Sequence, residues 1–183
     1  MKKIILYIAA SLDGRIAEPD GGLEWLTGFP NPEKTDYGYN DLLTSVDTVI
    51  MGGKTYREIL NMDVIWPYKQ QTTYVVTRGW TENAANENIR FITDNIIEAV
   101  SDLRKESGKD IWLVGGGELV SMLLAADLID EMQICHIPVI LGEGIPLFPK
   151  QPKVSTWELI KSTPYKLGVL MVEYQKKNQF INL

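Results

Sequence analysis

Twice in this chain a short, wholly apolar run ends in glycine and passes at once into a helical pattern. One junction is VDTVIMGGKTYREI, residues 46–59, and the other is IWLVGGGELV, residues 111–120. A strand that is apolar at every position, rather than at alternate ones, is covered on both faces. That happens where helices flank a parallel sheet. Glycine brings no side chain to pack and costs backbone entropy, so three in a row at 115–117 imply that something approaches the backbone closely.

The rest of the chain fits the same plan. Further short runs rich in Ile and Val lie at Ile4–Ala10, Thr73–Thr77, Ile89–Phe91 and Met132–Ile140, beside the cores Thr48–Met51 and Ile111–Val114 of the two junctions. Helical patterns stand between them: Tyr37–Val46, Thr55–Leu60, Leu119–Leu128, and a helix carrying Ile96, Ile97, Val100 and Leu103, with Asp94 as its cap and Gly108 after its end. Residues 154–177 read differently, as two strands turning near Pro164-Tyr165, and strands joined so tightly must be antiparallel. The expectation is one α/β domain over residues 1–183. It has a mixed, mostly parallel central sheet with flanking helices and an antiparallel C-terminal hairpin on one edge.

Charge and cysteine usage remove several classes of function. The 183 residues carry a net charge of −6 with no basic stripe, which argues against a nucleic-acid partner. A single cysteine, Cys135, cannot form an intrachain disulfide and sits in an apolar strand, where a thiol packs inertly. One cysteine and one histidine, His136, make a metal site improbable. The opening MKKIILYIAASLDG has an apolar run too short for a membrane span and leads into a turn, so it reads as a first strand of a cytoplasmic protein, with no membrane partner.

A strand–glycine–helix junction presents unpartnered backbone N–H groups at the positive end of a helix, and that geometry holds phosphate. Neither junction is a standard nucleotide fingerprint. GGKT lacks the first glycine and four-residue spacer of a P-loop, and GGGELV lacks the spacing of the Rossmann turn. Two such junctions in one sheet point to a ligand long enough to touch both and phosphorylated more than once, like a dinucleotide, lying beyond the carboxyl ends of the strands.

Five motifs then carry a resemblance. AASLDGRIA (9–17), VDTVIMGGKTY (46–56), YVVTR (74–78), WLVGGGELVSMLLAADLIDEMQICHIPVILGEGIPLF (112–148) and the closing hairpin follow the order of the dihydrofolate reductase superfamily. Within it, SLDG and IPVILGEG resemble the RibD C-terminal-like reductase domain of riboflavin biosynthesis. The resemblance implies NADPH as cofactor. Gly52, Gly53, Lys54 and Thr55 would meet its phosphates, and Thr77 and Arg78 its adenosine 2′-phosphate. Gly115, Gly116, Gly117, Glu118, Leu119 and Val120 would wrap the nicotinamide and pyrophosphate, and Ala9, Ala10 and Ile16 would line the nicotinamide pocket. It also implies a homodimer, with the hairpin or its neighbouring strand at the interface.

The implied reaction is hydride transfer to a small heterocyclic or ribosylamino substrate, like that of 5-amino-6-(5-phosphoribosylamino)uracil reductase. A true dihydrofolate reductase and a non-catalytic NADPH-binding module are the alternatives. The chain departs from the riboflavin enzymes in lacking the His/Cys cluster of their zinc deaminase domain. On the substrate side the candidates are Asp13, Trp25 and Asp36. Asp13 can equally make a turn with Gly14. Trp25 sits in a glycine-rich loop. Asp36, favoured over Asp41 by its spacing to VIMGG, would face inward two helical turns before Leu43. There a buried carboxylate with a raised pKa would assist protonation; the alternative for Asp36 is a helix N-terminal cap.

Overall fold

The computed structural model describes residues 1–62, 64–79, 87–149 and 154–177. In chain order the strands are β1 (Ile4–Ser11), β2 (Arg15–Ala17), β3 (Val46–Gly52), β4 (Thr72–Val76), β5 (Ile89–Ile92), β6 (Asp110–Gly115), β7 (Glu131–Ile137), β8 (Ile145–Pro146), β9 (Trp157–Pro164) and β10 (Leu170–Lys176). The helices are α1 (Glu24–Thr27), α2 (Tyr39–Ser45), α3 (Gly53–Asn61), α4 (Ile96–Lys105) and α5 (Gly117–Ala125). Eight strands form one sheet in the order β5-β4-β3-β6-β1-β7-β10-β9. The first six are mutually parallel. β10 pairs antiparallel with β7, and β9 antiparallel with β10, as the hairpin pattern requires. A two-stranded ribbon of β2 and β8 joins the loops that follow β1 and β7.

Both faces of the sheet are covered. Alternate β1 side chains Ile4 and Leu6 meet Val100 and Leu103 of α4 and Leu119, Val120 and Leu123 of α5. On the opposite face Ile5, Val49, Met51, Val75 and Trp112 meet Leu42 of α2 and Tyr56 of α3. Trp25 of α1 packs farther along, over Cys135, Ile137 and Met171. Two-sided burial of this kind explains the unbroken apolar runs. Among the described residues no helix is long and apolar enough to cross a membrane.

Several boundaries differ from the sequence expectation. The strand expected to reach Ile140 ends at Ile137, because Pro138 offers no N–H for the ladder. The helix expected from Tyr37 starts at Tyr39, after Gly38 at φ 89°, and Val46 already belongs to β3. The helix expected at Leu119–Leu128 begins earlier, at Gly117, and ends at Ala125. Asp94 does not cap α4: the capping position is Asn95, at φ 43°, and it makes no side-chain cap hydrogen bond.

Charged side chains fasten the amino edge of the sheet. Lys2, only 6% exposed, places Nζ 2.5 Å from Asp47 Oδ1 and 2.8 Å from Thr48 Oγ1. Asp47 also accepts from the Lys109 amide at 2.7 Å. Arg104 donates to both carboxylate oxygens of Asp130 at 2.7 and 2.8 Å, and Asp130 accepts from the Ile4 amide. Burial works to raise the Asp47 pKa, but hydrogen bonds from Lys2, Thr48 and the Lys109 amide outweigh it and the net direction is down. A depressed carboxylate pKa adds stability that is fully present above the ordinary value of 3.8 and is lost as pH falls through the lower folded value. Asp47→Asn leaves the Lys2 ammonium buried without its counter-charge. It is expected to cost about 1–2 kcal/mol near neutral pH, since Asp47 is itself partly exposed. It should also flatten the acid limb of stability below the ordinary carboxylate range, as read by urea titrations across pH.

Candidate active site

β3 and β6 are parallel neighbours, so their carboxyl ends lie side by side. Each passes through glycine into a helix: Gly52 (φ −76°, ψ 155°) precedes α3, and Gly116 (φ −85°, ψ −170°) precedes α5 after a cis Gly115–Gly116 peptide. Neither helix has a side-chain cap. The two turns touch. A Cβ added at Gly52 would stand 3.7 Å from the Gly116 amide nitrogen, and one added at Gly116 would stand 3.6 Å from Thr55 Oγ1. Two uncapped helix N-termini therefore converge on one spot at the sheet edge, where an anion is favoured.

The three glycines 115–117 have three different causes. Gly115 sits at φ +130°, where L side chains are strained. A Cβ on Gly117 would lie 2.5 Å from the Pro146 carbonyl oxygen, so this glycine admits the chain's own 146–149 segment. That corrects the expectation that all three stand clear for a ligand. Gly116 alone has ordinary contacts around an added Cβ, so close packing within the chain does not account for its missing side chain. Gly53 packs on the neighbouring strand end: its added Cβ would meet Thr77 Oγ1 at 3.1 Å. Thr77 and the exposed Arg78 beyond β4, together with the exposed Lys54 on α3, thus border the same edge. Glu118 is exposed in the first turn of α5.

The other expected cofactor residues separate. Ala9 and Ala10 project to opposite faces of β1. Ala10 joins the core under α5 beside Ile16, while Ala9 joins the cluster around Trp25. Leu119 and Val120 are buried core residues, so only their backbone is available to a ligand.

On the Trp25 side the sheet carries an aromatic wall that the sequence reading missed. The Trp112 ring meets Tyr7 and Tyr39 edge-on at 6.0 and 5.7 Å, and Tyr37 meets Tyr165 at 5.1 Å. The Tyr7 hydroxyl donates to the Tyr37 carbonyl at 3.3 Å, and burial pushes its pKa far up. The available signal was strand alternation, since Tyr7 shares a face with Ala9. Cys135 lies in this cluster with its thiol pushed up to about 11 by burial, which fits inert packing.

Asp36 is exposed and precedes α2 rather than lying within it. Its carboxylate accepts from the Gly38 and Asn40 amides, each at 3.1 Å. Those bonds hold its pKa down, which corrects the expected inward position and raised pKa. Asp13 accepts from Ser11 Oγ at 2.7 Å and from the Leu141 and Gly142 amides at 3.0 and 2.8 Å, and its pKa falls to about 2. It clasps the turn after β1 to the loop after β7, and the Leu147 amide donating to the Gly14 carbonyl at 2.9 Å closes the same lip. Asp41 is exposed on the first turn of α2 and His136 is half-buried. Among the described residues no three His, Cys, Asp or Glu gather as a metal site.

The family model for the RibD C-terminal domain matches residues 2–171. The chain belongs to the RibD C-terminal domain family. The Bacillus subtilis protein YwjB is 43% identical over 147 residues, covering 80% of this chain and 83% of that one. A Shewanella sp. PV-4 structure described as a riboflavin biosynthesis protein superposes with a TM-score of 0.87 at 32% identity, over 96% of this chain and 99% of that chain. Dihydrofolate reductase from Enterococcus faecalis, solved with NADP(H), gives a TM-score of 0.71 at 17% identity over 96% and 97% of the two chains, a likeness of fold. The RibD C-terminal domain here thus has a dihydrofolate reductase-like fold.

The different causes of neighbouring glycines can be separated by substitution. Gly117→Ala is expected to destabilise the fold by about 1–3 kcal/mol through overpacking. Gly116→Ala should stay within about 1 kcal/mol of wild type, because its Cβ has room. Thermal or denaturant unfolding of the two variants provides the check.

Proposed function

We propose that the protein is an NADPH-dependent oxidoreductase that transfers hydride to a small heterocyclic or ribosylamino substrate, resembling 5-amino-6-(5-phosphoribosylamino)uracil reductase. The observation that carries this reading is the close approach of the two uncapped helix N-termini at Gly52 and Gly116, where an added Cβ would meet neighbours only at ordinary van der Waals distance. These residues fit a doubly phosphorylated cofactor. The first-turn N–H groups of α3 and α5 would hold its pyrophosphate, Lys54 would add a positive charge, and Thr77 and Arg78 would take the adenosine 2′-phosphate. The β1 backbone at Ala9 and Ala10, with Ile16, would border the nicotinamide.

NADPH supplies the hydride when bound. The chain's own part is to orient, exclude water and manage a proton. Trp25, Tyr7 and Tyr39 keep the substrate side apolar. Asp36 is ionised near neutral pH, because backbone amides stabilise its charged form. It would therefore hold a water or a cationic substrate group, and a solvent proton would be relayed to the product through that water, the bulk replacing the proton the water gives up. A homodimer belongs to the same reading: β9 is an edge strand on which Leu159 and Ile160 are 52% and 57% exposed, and covering it would remove an unpaired edge.

NADPH should bind more tightly than NADH. Arg78→Ala is expected to weaken NADPH by about 1.5–3 kcal/mol, the scale of a charge-assisted hydrogen bond, with little change for NADH; equal affinity of the wild type for both would count against the assignment. Asp36→Asn preserves the cap acceptor but removes the charge. It is expected to lower turnover by about 10²-fold with NADPH affinity unchanged, and wild-type turnover would restrict Asp36 to capping.

A further inference from the structure

We infer, building on the proposed reductase site, that Trp112 is a positioning residue: its indole N–H caps the Tyr7 carbonyl where β1 parts from β6, and so holds open the crevice that receives the nicotinamide. β1 pairs with β7 from Ile5 through Ser11, but with β6 only from Ile4 to Leu6. Beyond Leu6 the two central strands are no longer sealed: Tyr7, Ile8, Ala9 and Val114 are all partly exposed. Within the main sheet the chain passes from β1 to β3 in one direction and from β6 to β7 in the other. Ligands collect in the crevice at such a switch point.

The Ile111 amide donates to the Lys3 carbonyl. Continued two residues at a time, that ladder would send the Gly115 amide to the Tyr7 carbonyl. It stops one bond short, because the pairing ends at Leu6 opposite Leu113. On its other side β6 slips by one residue against β3: Ile50 faces Leu113, and Met51 faces Gly115. Val114 is the extra residue, and an irregularity of this kind re-aims a strand and ends its pairing. The Tyr7 carbonyl thereby loses its ladder donor, and Trp112 Nε1 supplies one at 3.1 Å. By the same alternation the Ala9 N–H and C=O face the gap. Trp112 is 3% exposed, and its ring is held edge-on against Tyr7, Tyr39 and Tyr68. Packing alone would need that ring but not its N–H. A purely apolar ring at 112 would leave a buried carbonyl unpaired, which is costly. The carbonyl would be relieved by recapturing the Gly115 amide, which draws the glycine turn onto β1 and narrows the crevice.

The test is Trp112→Phe, which keeps an aromatic ring and removes the donor. NADPH and 2′,5′-ADP, which carries the adenosine phosphates but no nicotinamide, are titrated by calorimetry into variant and wild type. The variant is expected to bind NADPH at least about 10-fold more weakly, the scale of one buried carbonyl left unpaired, and to bind 2′,5′-ADP as the wild type does. Equal NADPH affinity in the two proteins, or an equal loss for both ligands, would overturn the inference. A second measurement uses the wild type alone and so does not depend on the variant folding. Nuclear magnetic resonance should detect a scalar coupling between the Trp112 indole nitrogen and the Tyr7 carbonyl carbon, with and without NADPH. NADPH, but not 2′,5′-ADP, should slow hydrogen exchange at the Ala9 amide. A missing coupling, or an Ala9 amide indifferent to NADPH, overturns the inference as well. Any of these contrary results in a protein whose wild type binds NADPH removes this inference alone. A wild type that does not bind NADPH removes the reductase reading and this inference with it.

Discussion

Parallel pairing of β6 with both β3 and β1 decides where the candidate functional groups of this protein lie. Because these strands run the same way, Ser11, Gly52 and Gly115 end on one edge. A parallel ladder also obliges the chain to cross back over a face after each strand, so helices must start at that edge. Their unpartnered N–H groups come with them. The anion-favouring character of the site is therefore a consequence of strand direction, before any side chain is considered.

The two edges of the sheet divide the work. At the amino edge, Lys2 with Asp47 and Arg104 with Asp130 tie strand starts to their neighbours. At the carboxyl edge the two helix N-termini keep their first turns uncapped, and Asp13 holds two loops together as a lip. Aromatic side chains fill the face beside that lip, from Trp112 through Tyr39 and Tyr7. One edge is fastened internally and the other is left able to exchange backbone donors for a ligand.

Much of the fold was legible because its signals are local. Short runs rich in Ile and Val, several of them apolar throughout, marked the six parallel strands, and the Pro164-Tyr165 turn marked the hairpin. What the sequence hid depends on contacts between distant segments. Gly117 is glycine because Pro146 passes 2.5 Å from where its Cβ would be, and nothing near residue 117 in the chain records that. Asp13 reads locally as a turn residue, while its partners Leu141 and Gly142 lie far along the chain. Asp36 was placed by counting helical turns from Leu43, and the count failed because the helix starts only after Gly38, leaving the carboxylate to accept from the amides of Gly38 and Asn40. Ala9 and Ala10 were grouped as neighbours, although adjacent residues of a strand face opposite ways.

The central claim is that the glycine turns at 52–55 and 115–119 form one cradle for a single dinucleotide. Amide hydrogen exchange of the protein with and without saturating NADPH tests it most directly. The account predicts that protection rises together in both turns and at Thr77–Arg78, with the amino-edge residues around Asp47 and Lys109 unchanged. Protection confined to one turn, or absent from both while NADPH is bound, would contradict it.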